Sequence, residues 1–511
     1  MIIKVSMMLV FLAITIFIGL YFRKRATNVN DFVLAGRGVG PWLSAFAYGT
    51  SYFSAVVFVG YAGQFGWRFG TAAVWIGIGN AFIGSLAAWM VLGKRTRIMT
   101  NHLKSATMPE FFGIRFNSKP LKLAAALIIF VFLIPYTASL YNGLSRLFSM
   151  AFHIDFLYCI IIMAIITAIY VVAGGYFATA VNDFIQGIIM LIGLVVIIAV
   201  VLNDNGGFTE AIKSLANITA DQAAESPGVF TSFFGPDPIS LLGVIILTSF
   251  GCWGLPQMVA RFYSIKSEKQ ITKGAVISTV FALIIAGGCY FIGSFGRLYS
   301  NVVETGASGG VIYDSIIPTI LSKFGDAVIG IVILIVFAAS ISTLSSLVMA
   351  SSSTLTLDFL KETVFKKISD KTQLFIIRIL IIVFILISSV IAIVQYKGGI
   401  TFIAQLMGIS WGVLAGAFLA PFLYGLYWKN ATKASVWCCF IFSTFFMCFN
   451  TFLPKIFADI FPKFLHSPIN SGAFIMLAGL LIIPIVSSFT KKPDEKILEK
   501  QFSCFKEKET I

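Results

Sequence analysis

Charged residues are scarce in this sequence of 511 residues. Only 12% are Asp, Glu, Lys or Arg, whereas 58% are hydrophobic and the mean hydropathy is +0.93. A soluble globular domain is nearer a quarter charged, so this chain could not cover a water-exposed surface with polar groups. Disorder is excluded as well, because 51 Phe and 8 Trp favour burial. The composition therefore predicts a polytopic helical membrane protein, with length for about a dozen spans of about 20 apolar residues.

Motifs for catalysis and metal binding are also lacking. The seven Cys include no C-x-x-C pair, and His102, His153 and His466 lie in or beside predicted loops without an acid at ligand spacing. No G-x-x-x-x-G-K-[ST] phosphate loop occurs. We therefore predict no catalytic residue, no zinc site and no ATP-driven pump within this chain. The net charge of +15 would suggest nucleic acid for a soluble protein, but in a membrane protein it is typical of cytoplasmic loops.

The apolar runs predict about thirteen transmembrane helices, with the N-terminus outside and the C-terminus in the cytoplasm. Arg23, Lys24 and Arg25 follow the first run directly, which is typical of a retained helix rather than a cleaved signal peptide. In this topology 28 of the 37 Lys and Arg fall on the cytoplasmic side and 8 on the outside. Such a split is what the positive-inside rule requires of a multi-pass protein, here expected in the plasma membrane.

Two of the apolar runs have interiors that break a helix. The run at 41–66 contains G-T-S-Y-F-S at 49–54, and the run at 241–262 contains G-C-W-G-L-P at 251–256. Gly loosens a helix and Pro removes a backbone donor, and inside a bilayer the freed groups need partners. The two runs are five helices apart, as in an inverted five-plus-five repeat with solute and ion sites at the broken midpoints. The alternative is that these are kinks that only improve packing.

A further span, 336–356, carries ten Ser and Thr. Small hydroxyls can simply aid helix packing, but hard cations such as Na⁺ prefer oxygen ligands. Ser342 and Thr343 supply two adjacent hydroxyls, and the carbonyl of Ala339 lies one turn earlier. Carbonyls freed at Thr50 and Phe53 would complete a shell of five oxygens. This set without a carboxylate suits a weak site for a monovalent ion.

Asp183 is an acid within the predicted spans, at the predicted cytoplasmic start of a helix. An Asp at this place is explained equally well as an N-cap that suits the helix dipole. A membrane acid near a hydroxyl cluster is also a candidate for an ion path.

Four stretches resemble the sodium:solute symporter family, which includes bacterial symporters for proline, pantothenate, sialic acid and sugars. They are D-F-V-L-A-G-R at 31–37, A-G-G-Y at 173–176 with N-D-F-I-Q-G at 182–187, P-Q-M-V-A-R-F at 256–262, and A-S-I-S-T-L-S-S at 339–346. The resemblance implies an all-α, leucine-transporter-like inverted repeat in one domain, 1–490, followed by a charged, solvated tail, 491–511. Within the domain, an extra first helix covers 5–22, the ten-helix core covers about 41–428, and two further helices cover 432–488.

The resemblance also implies site residues. The first Na⁺ site falls on Thr50, Phe53, Ala339, Ser342 and Thr343, and a second Na⁺ site, found in some members, falls on Asp183, Ser345 and Ser346 together with Ser342. The solute pocket falls on the two broken helices and the third core helix, at Ser51, Tyr52, Ser54, Tyr136, Thr137, Ser139, Thr248, Cys252 and Trp253. Of these, Tyr136 and Trp253 are explained equally well as core aromatic residues.

Departures from the family pattern reduce the range of solutes that the pocket is expected to bind. Proline members carry an Asp where Tyr52 stands, and a Trp and a Tyr where Thr248 and Cys252 stand. Sialic acid members clamp a carboxylate with an Arg on the third core helix, and 133–142 contains no Arg. Proline and an Arg-clamped sialic acid are therefore disfavoured. The predicted pocket has no fixed charge, so a neutral or zwitterionic solute fits best, and a small carboxylate would need Na⁺ or a helix N-terminus as counter-charge.

We predict Na⁺-coupled uptake of a small organic solute by alternating access. A proton-coupled or uncoupled permease on the same fold, with Asp183 as the proton site, is the alternative. The expected partners are the solute, the coupling ion Na⁺ and the lipid bilayer, without nucleic acid, and the expected state is a monomer or weak homodimer.

Overall fold

The computed structural model describes residues 2–22, 28–218, 227–305, 310–365, 368–397 and 403–506. Several predictions concern residues outside these ranges. They are the basic run Arg23, Lys24 and Arg25, the basic residues Lys366 and Lys367, part of the long acidic outer loop at 219–226, and the end of the tail at 507–511.

Helices make up nearly all of the described chain, and we number the α-helices in chain order. They are α1 (Ile2–Phe22), α2 (Val29–Leu34), α3 (Pro41–Tyr52), α4 (Ala62–Phe69), α5 (Val74–Gly79), α6 (Lys94–His102), α7 (Met108–Arg115), α8 (Lys119–Phe152), α9 (Phe156–Asp204), α10 (Phe208–Ala216), α11 (Pro238–Gly251), α12 (Pro256–Ser264), α13 (Lys269–Ser294), α14 (Ile316–Ser322), α15 (Asp326–Thr354), α16 (Lys361–Thr363), α17 (Asp370–Lys397), α18 (Ile403–Tyr427), α19 (Lys433–Phe452), α20 (Pro454–Ile460), α21 (Pro468–Phe489) and α22 (Glu495–Lys506).

Eleven helical stretches of the described chain are long and apolar enough to cross a membrane. The predicted count of thirteen is not confirmed by this criterion and stays a prediction. One reason for the difference is that Val56–His102 counts as one stretch of 47 residues, about 70 Å at 1.5 Å per residue, which is over twice the hydrocarbon thickness of about 30 Å. Another is that Phe156–Ile169 is a shorter apolar helix.

Both predicted helix breaks are present. The helix α3 ends at Tyr52, Phe53 is extended (φ −106°, ψ 101°), and the chain continues in a π-helical turn, Val56–Tyr61. In the second broken helix, α11 ends at Gly251 and α12 begins at Pro256. Gly254 and Pro256 stand at the second break, whereas Gly49 lies inside α3 and the first break falls at Phe53.

A third interruption lies in α9, where Gly175 has a left-handed backbone (φ 62°). This kink separates the two predicted runs, 155–174 and 181–203. Asp183 lies eight residues beyond the kink, inside the helix and fully buried. The N-cap explanation of Asp183 is therefore wrong, since an N-cap stands at the start of a helix.

Close backbone contact joins the first broken helix to α13. A Cβ at Gly66 would lie 2.0 Å from the carbonyl carbon of Gly293, and a Cβ at Gly293 would lie 1.9 Å from the carbonyl oxygen of Ala62. Without a hydrophobic driving force between helices in lipid, small residues allow this approach. These glycines fix the distance between the two helices.

Part of the charged tail is packed rather than solvated. The helix α22 buries Leu498 and Phe502, and the guanidinium of Arg115 lies 4.9 Å from the centroid of the Phe502 ring. Gln501 donates to the carbonyl of Ile114 at 2.7 Å. Leu498 and Phe502 are four residues apart and share one face of the helix, so the prediction of a solvated tail is wrong for this segment.

Candidate functional site

Four of the five oxygens predicted for the first Na⁺ site converge between α3 and α15. The hydroxyls of Ser342 and Thr343 each lie 3.1 Å from the carbonyl oxygen of Thr50. The same hydroxyls lie 3.0 and 2.9 Å from the carbonyl oxygen of Ala339. All four residues are fully buried. We call this group the neutral oxygen cluster, because none of its members carries a charge.

The fifth predicted residue, Phe53, stands at the helix break. Its extended backbone takes its carbonyl out of the helical ladder of α3. The cluster therefore forms where one helix ends and where a second helix presents two hydroxyls on successive residues.

Several other hydroxyls of α15 bond only within their own helix in the described contacts, and those of Ser351 and Ser352 have no hydrogen-bond partner there. Ser340 donates to the carbonyl of Val336, Ser345 to that of Ser342, and Ser346 to that of Thr343. Contact with the broken helix distinguishes Ser342 and Thr343 from these neighbours. Helix packing alone thus explains some of these hydroxyls, but not the two that reach Thr50.

Asp183 forms a buried ion pair. Its Oδ2 atom lies 3.5 Å from Nη2 of Arg261 on α12, and the same Nη2 donates to the hydroxyl of Ser51 at 2.7 Å. Ser51, Asp183 and Arg261 are each at most 2% exposed. The Oδ1 atom of Asp183 has no hydrogen-bond partner among the described residues. We call these three residues the charged cluster.

Two residues predicted to share the second Na⁺ site with Asp183 make other contacts in the structure. Ser345 and Ser346 donate to carbonyls of α15 rather than to Asp183.

Arg261 is a member of the charged cluster that the sequence did not identify. It is one of the 28 basic residues predicted on the cytoplasmic side, but its side chain is only 2% exposed. Its position in an apolar run, five residues after Pro256, is the signal that could have identified it as an intramembrane charge in need of a partner.

Three predicted solute residues at the helix breaks make contacts outside their own helix, two of them with the π-helical segment Asn80–Ala87. Tyr52 donates to the carbonyl of Thr248 at 2.5 Å. The Cys252 thiol donates to the carbonyl of Gly84 at 2.9 Å, and the Trp253 indole donates to that of Ile83 at 3.0 Å. These contacts bring the two broken helices together at their midpoints.

The remaining predicted solute residues divide into two groups. Tyr136 packs edge-on to Trp411, at 6.0 Å between ring centroids, and Trp411 stacks on Tyr52, also at 6.0 Å. Ser54, Thr137 and Ser139 instead make local contacts: the Ser54 hydroxyl accepts from the backbone of Val56, Thr137 donates to Leu133, and Ser139 donates to Tyr136.

Trp411 on α18 is a residue that sequence reasoning missed. Its ring lies over Gly251, where a Cβ would come within 2.6 Å of it. Neither its indole nitrogen nor the Tyr136 hydroxyl has a hydrogen-bond partner of ordinary geometry in the described part of the chain. An aromatic residue in an apolar helix gives no signal of this position, because the same residue type fills helix interfaces everywhere in the chain.

A helical bundle with two helices broken at their midpoints, and with uncharged oxygens at one break, is the arrangement typical of a secondary transporter. Comparison with known proteins identifies its class. The family model described as "Sodium:solute symporter family" matches residues 32–441. Sodium/proline symporters of Staphylococcus aureus, among them those of strains JH9 and NCTC 8325, are 31% identical over 501 residues, which cover 95% of this chain and 93% of theirs.

A solved structure shows the same fold. It is a Na⁺-coupled sialic acid symporter in a substrate-bound outward-open state, with a TM-score of 0.74 and 19% identity, and the match covers 96% of this chain and 99% of that one. This likeness confirms the leucine-transporter-like fold.

The chain belongs to the sodium:solute symporter family. It is a multi-pass membrane transporter and not an enzyme, and it carries a small solute by symport with Na⁺ as the coupling ion.

Proposed function

We propose that the neutral oxygen cluster binds the coupling Na⁺, with Thr50, Phe53, Ala339, Ser342 and Thr343 as ligands. The observation that carries this proposal is that two hydroxyls of α15 each lie within 3.1 Å of two carbonyl oxygens, one on α3 and one on α15. Oxygens alone suit a hard cation. An uncharged shell also allows the ion to leave without exposing an unpaired buried charge.

This location links the ion to alternating access. The helix α3 ends two residues after Thr50, and Na⁺ would join that end to α15. Binding from outside would therefore favour the outward-open state, and release into the cytoplasm would free α3 from α15. The same proposal includes the direction of transport, which is inward across the plasma membrane. It also includes the topology, with the N-terminus outside and the C-terminus inside.

The solute in this proposal is a small neutral or zwitterionic molecule, or a small carboxylate. It would bind at the midpoints of the broken helices, among the predicted residues Ser51, Tyr52, Ser54, Tyr136, Thr137, Ser139, Thr248, Cys252 and Trp253. Support comes from the contacts of Tyr52, Cys252 and Trp253 around the breaks. The guanidinium of Arg261 reaches this set at Ser51, but it is paired with Asp183. The relatives' names make proline a candidate, whereas Tyr52, Thr248 and Cys252 differ from the family's proline pattern.

A second Na⁺ at Asp183, Ser345 and Ser346, with Ser342, is a separate proposal. It is supported by the buried Oδ1 of Asp183, which has no hydrogen-bond partner among the described residues. The ratio of Na⁺ to solute fluxes tests it in reconstituted vesicles. Two Na⁺ per solute would support the second site, and one would exclude it.

Thermal stability of the purified protein tests the main proposal. Neutral sugars, amino acids, small carboxylates and vitamins are screened in Na⁺ and in K⁺, because a ligand that binds only the folded state raises stability. A solute that stabilises the protein only in Na⁺ would establish the solute class and the coupling together. Equal stabilisation in both ions would contradict coupling through the neutral oxygen cluster. The same preparations would show whether the protein is a monomer or a weak homodimer.

A further inference from the structure

A recess begins one helical turn from the neutral oxygen cluster. Its walls come from α2, α9, α12, α15, the start of α7 and the two residues before it. Ser346, four residues after Ser342 on α15, forms part of the wall. The recess lies toward the end of α15 that the sequence predicts to be cytoplasmic, which is the side of release for an importer.

Two polar side chains in the wall of this recess lack partners. Both amide atoms of Gln257 and the hydroxyl of Tyr263 make no hydrogen bond to any described residue. The two residues are 2% and 1% exposed. Buried polar groups are ordinarily hydrogen-bonded, so each of these groups is suited to a ligand that donates or accepts.

Other hydroxyls in the wall are already satisfied. Thr107 donates to Asp358, and Thr179, Ser346, Ser353 and Thr354 each donate to a backbone carbonyl of their own helix. Among the uncharged groups of the wall, the hydrogen-bonding capacity is therefore concentrated at Gln257 and Tyr263.

The electrostatics of the recess select the type of ligand. Arg261 is the charged residue in the wall, and Asp183 lies 3.5 Å from its guanidinium. The recess thus gains no net charge from this pair, and an isolated ion would lose its hydration without compensation. Val33, Met108, Pro256 and Met349 supply apolar walls, as in small-molecule sites that combine an apolar lining with a few polar groups.

We propose that this recess is a second solute-binding site on the release side, where Gln257 and Tyr263 hydrogen-bond a small neutral or zwitterionic solute. The inference rests on the proposed function, because it assigns the recess to the transported solute after that solute has left the midpoint of the broken helices. Gln257 is the residue expected to contribute most, since its amide both donates and accepts.

The experiment measures protection of a cysteine in the wall, introduced as Met349→Cys. The purified protein is labelled with N-ethylmaleimide in K⁺ buffer without Na⁺, and the modification of residue 349 is quantified by mass spectrometry. The probes are L-proline, glycine betaine, glucose and acetate, which represent zwitterionic, neutral and anionic solutes. We expect a zwitterion or glucose to slow labelling roughly fivefold, as occupancy requires when the probe is several times above its Kd, and acetate to have no effect.

Gln257→Leu should abolish this protection. Gln186→Leu is the matched control, because Gln186 is equally buried and also has an unpartnered amide among the described residues, but it does not line the recess. Gln257→Ala replaces the Leu variant if the latter does not fold. The proposal is overturned if position 349 is not labelled, if no probe or only acetate protects it, or if protection survives the loss of Gln257, which would indicate a recess that holds only water.

The K⁺ buffer separates this result from the proposed function. A protein that is stabilised by a solute only in Na⁺, yet shows no protection in K⁺, would retain the Na⁺-coupled central site and lose the recess site. Protection in K⁺ without any Na⁺-dependent stabilisation would retain the recess site and contradict the Na⁺-coupled central site.

Discussion

The neutral oxygen cluster and the charged cluster include consecutive residues, Thr50 and Ser51, near the end of α3. The carbonyl of Thr50 faces Ser342 and Thr343 on α15, whereas the hydroxyl of Ser51 accepts from Arg261 on α12. Both clusters are buried, but one has no charge and the other holds a cation and an anion. The end of α3 is thus joined to two different helices by two different kinds of interaction.

This difference bears on which contact can open during transport. An uncharged cluster gains a cation and loses it again while its own groups keep their backbone hydrogen bonds. A buried ion pair, by contrast, leaves an uncompensated charge when one partner is removed. We therefore expect the neutral oxygen cluster to change with each cycle, and the charged cluster to fix α12 against α9 in the conformation described here.

The largest expected effect follows from Arg261→Leu, which leaves Asp183 buried without its cation. The free energy of unfolding should fall by about 3–5 kcal/mol, as for other buried pairs that lose one partner. Adding Asp183→Asn to this variant should restore much of the loss, because the unpaired charge is then gone. Denaturant unfolding in detergent measures both changes.

Arg68→Leu is the control for this prediction. Arg68 pairs with Asp237 at 2.6 Å, but the two side chains are 42% and 38% exposed. Exposed pairs contribute about 1 kcal/mol or less. Equal losses of stability for Arg68→Leu and Arg261→Leu would show that burial does not distinguish the two pairs.

Thr343→Ala should have the next largest effect, on the ion rather than on the fold. The variant loses one of the proposed ligand oxygens, and a hydrogen-bonding group that contacts a charge contributes about 1.5–3 kcal/mol. The Na⁺ concentration for half-maximal transport should therefore rise about 10- to 100-fold. Thr343→Ser keeps the hydroxyl and should resemble the parent protein, and a Thr343→Ala activation curve that overlies the parent's would remove Thr343 from the site.

The smallest effect is expected for Ser340→Ala. Ser340 is as buried as Thr343 and lies on the same helix, but its hydroxyl donates only to the carbonyl of Val336 among the described contacts. The half-maximal Na⁺ concentration should change by less than about twofold, because the carbonyl keeps its backbone bond. A change as large as that of Thr343→Ala would mean that α15 responds to the loss of any hydroxyl.

Local chemistry explains which parts of this arrangement the sequence could predict. The breaks at 49–54 and 251–256 are visible because Gly and Pro interrupt otherwise apolar runs. The neutral oxygen cluster could be assembled from those breaks and from the adjacent hydroxyls of Ser342 and Thr343. In both cases the signal lies within a few residues of the feature.

Tertiary packing explains what the sequence could not predict. Arg261 stands near the end of a predicted span, where a basic residue is ordinarily cytoplasmic. Only the tertiary placement of α12, which packs mainly on α3 and α6, brings its side chain beside Asp183 of α9. Trp411 has the same difficulty, because its contact with Tyr52 depends on how α18 crosses the first broken helix. A basic residue at a helix end can be exposed or buried, and an aromatic residue in a helix can face lipid or a neighbouring helix, so the sequence alone does not decide between these positions.

Equilibrium binding of radioactive Na⁺ to the purified protein tests the central claim most directly. The parent protein and Ser340→Ala should both bind Na⁺ saturably, and Thr343→Ala should bind little at concentrations that saturate the parent. Binding isotherms of Thr343→Ala and the parent that overlie each other would contradict the assignment of the coupling ion to the neutral oxygen cluster.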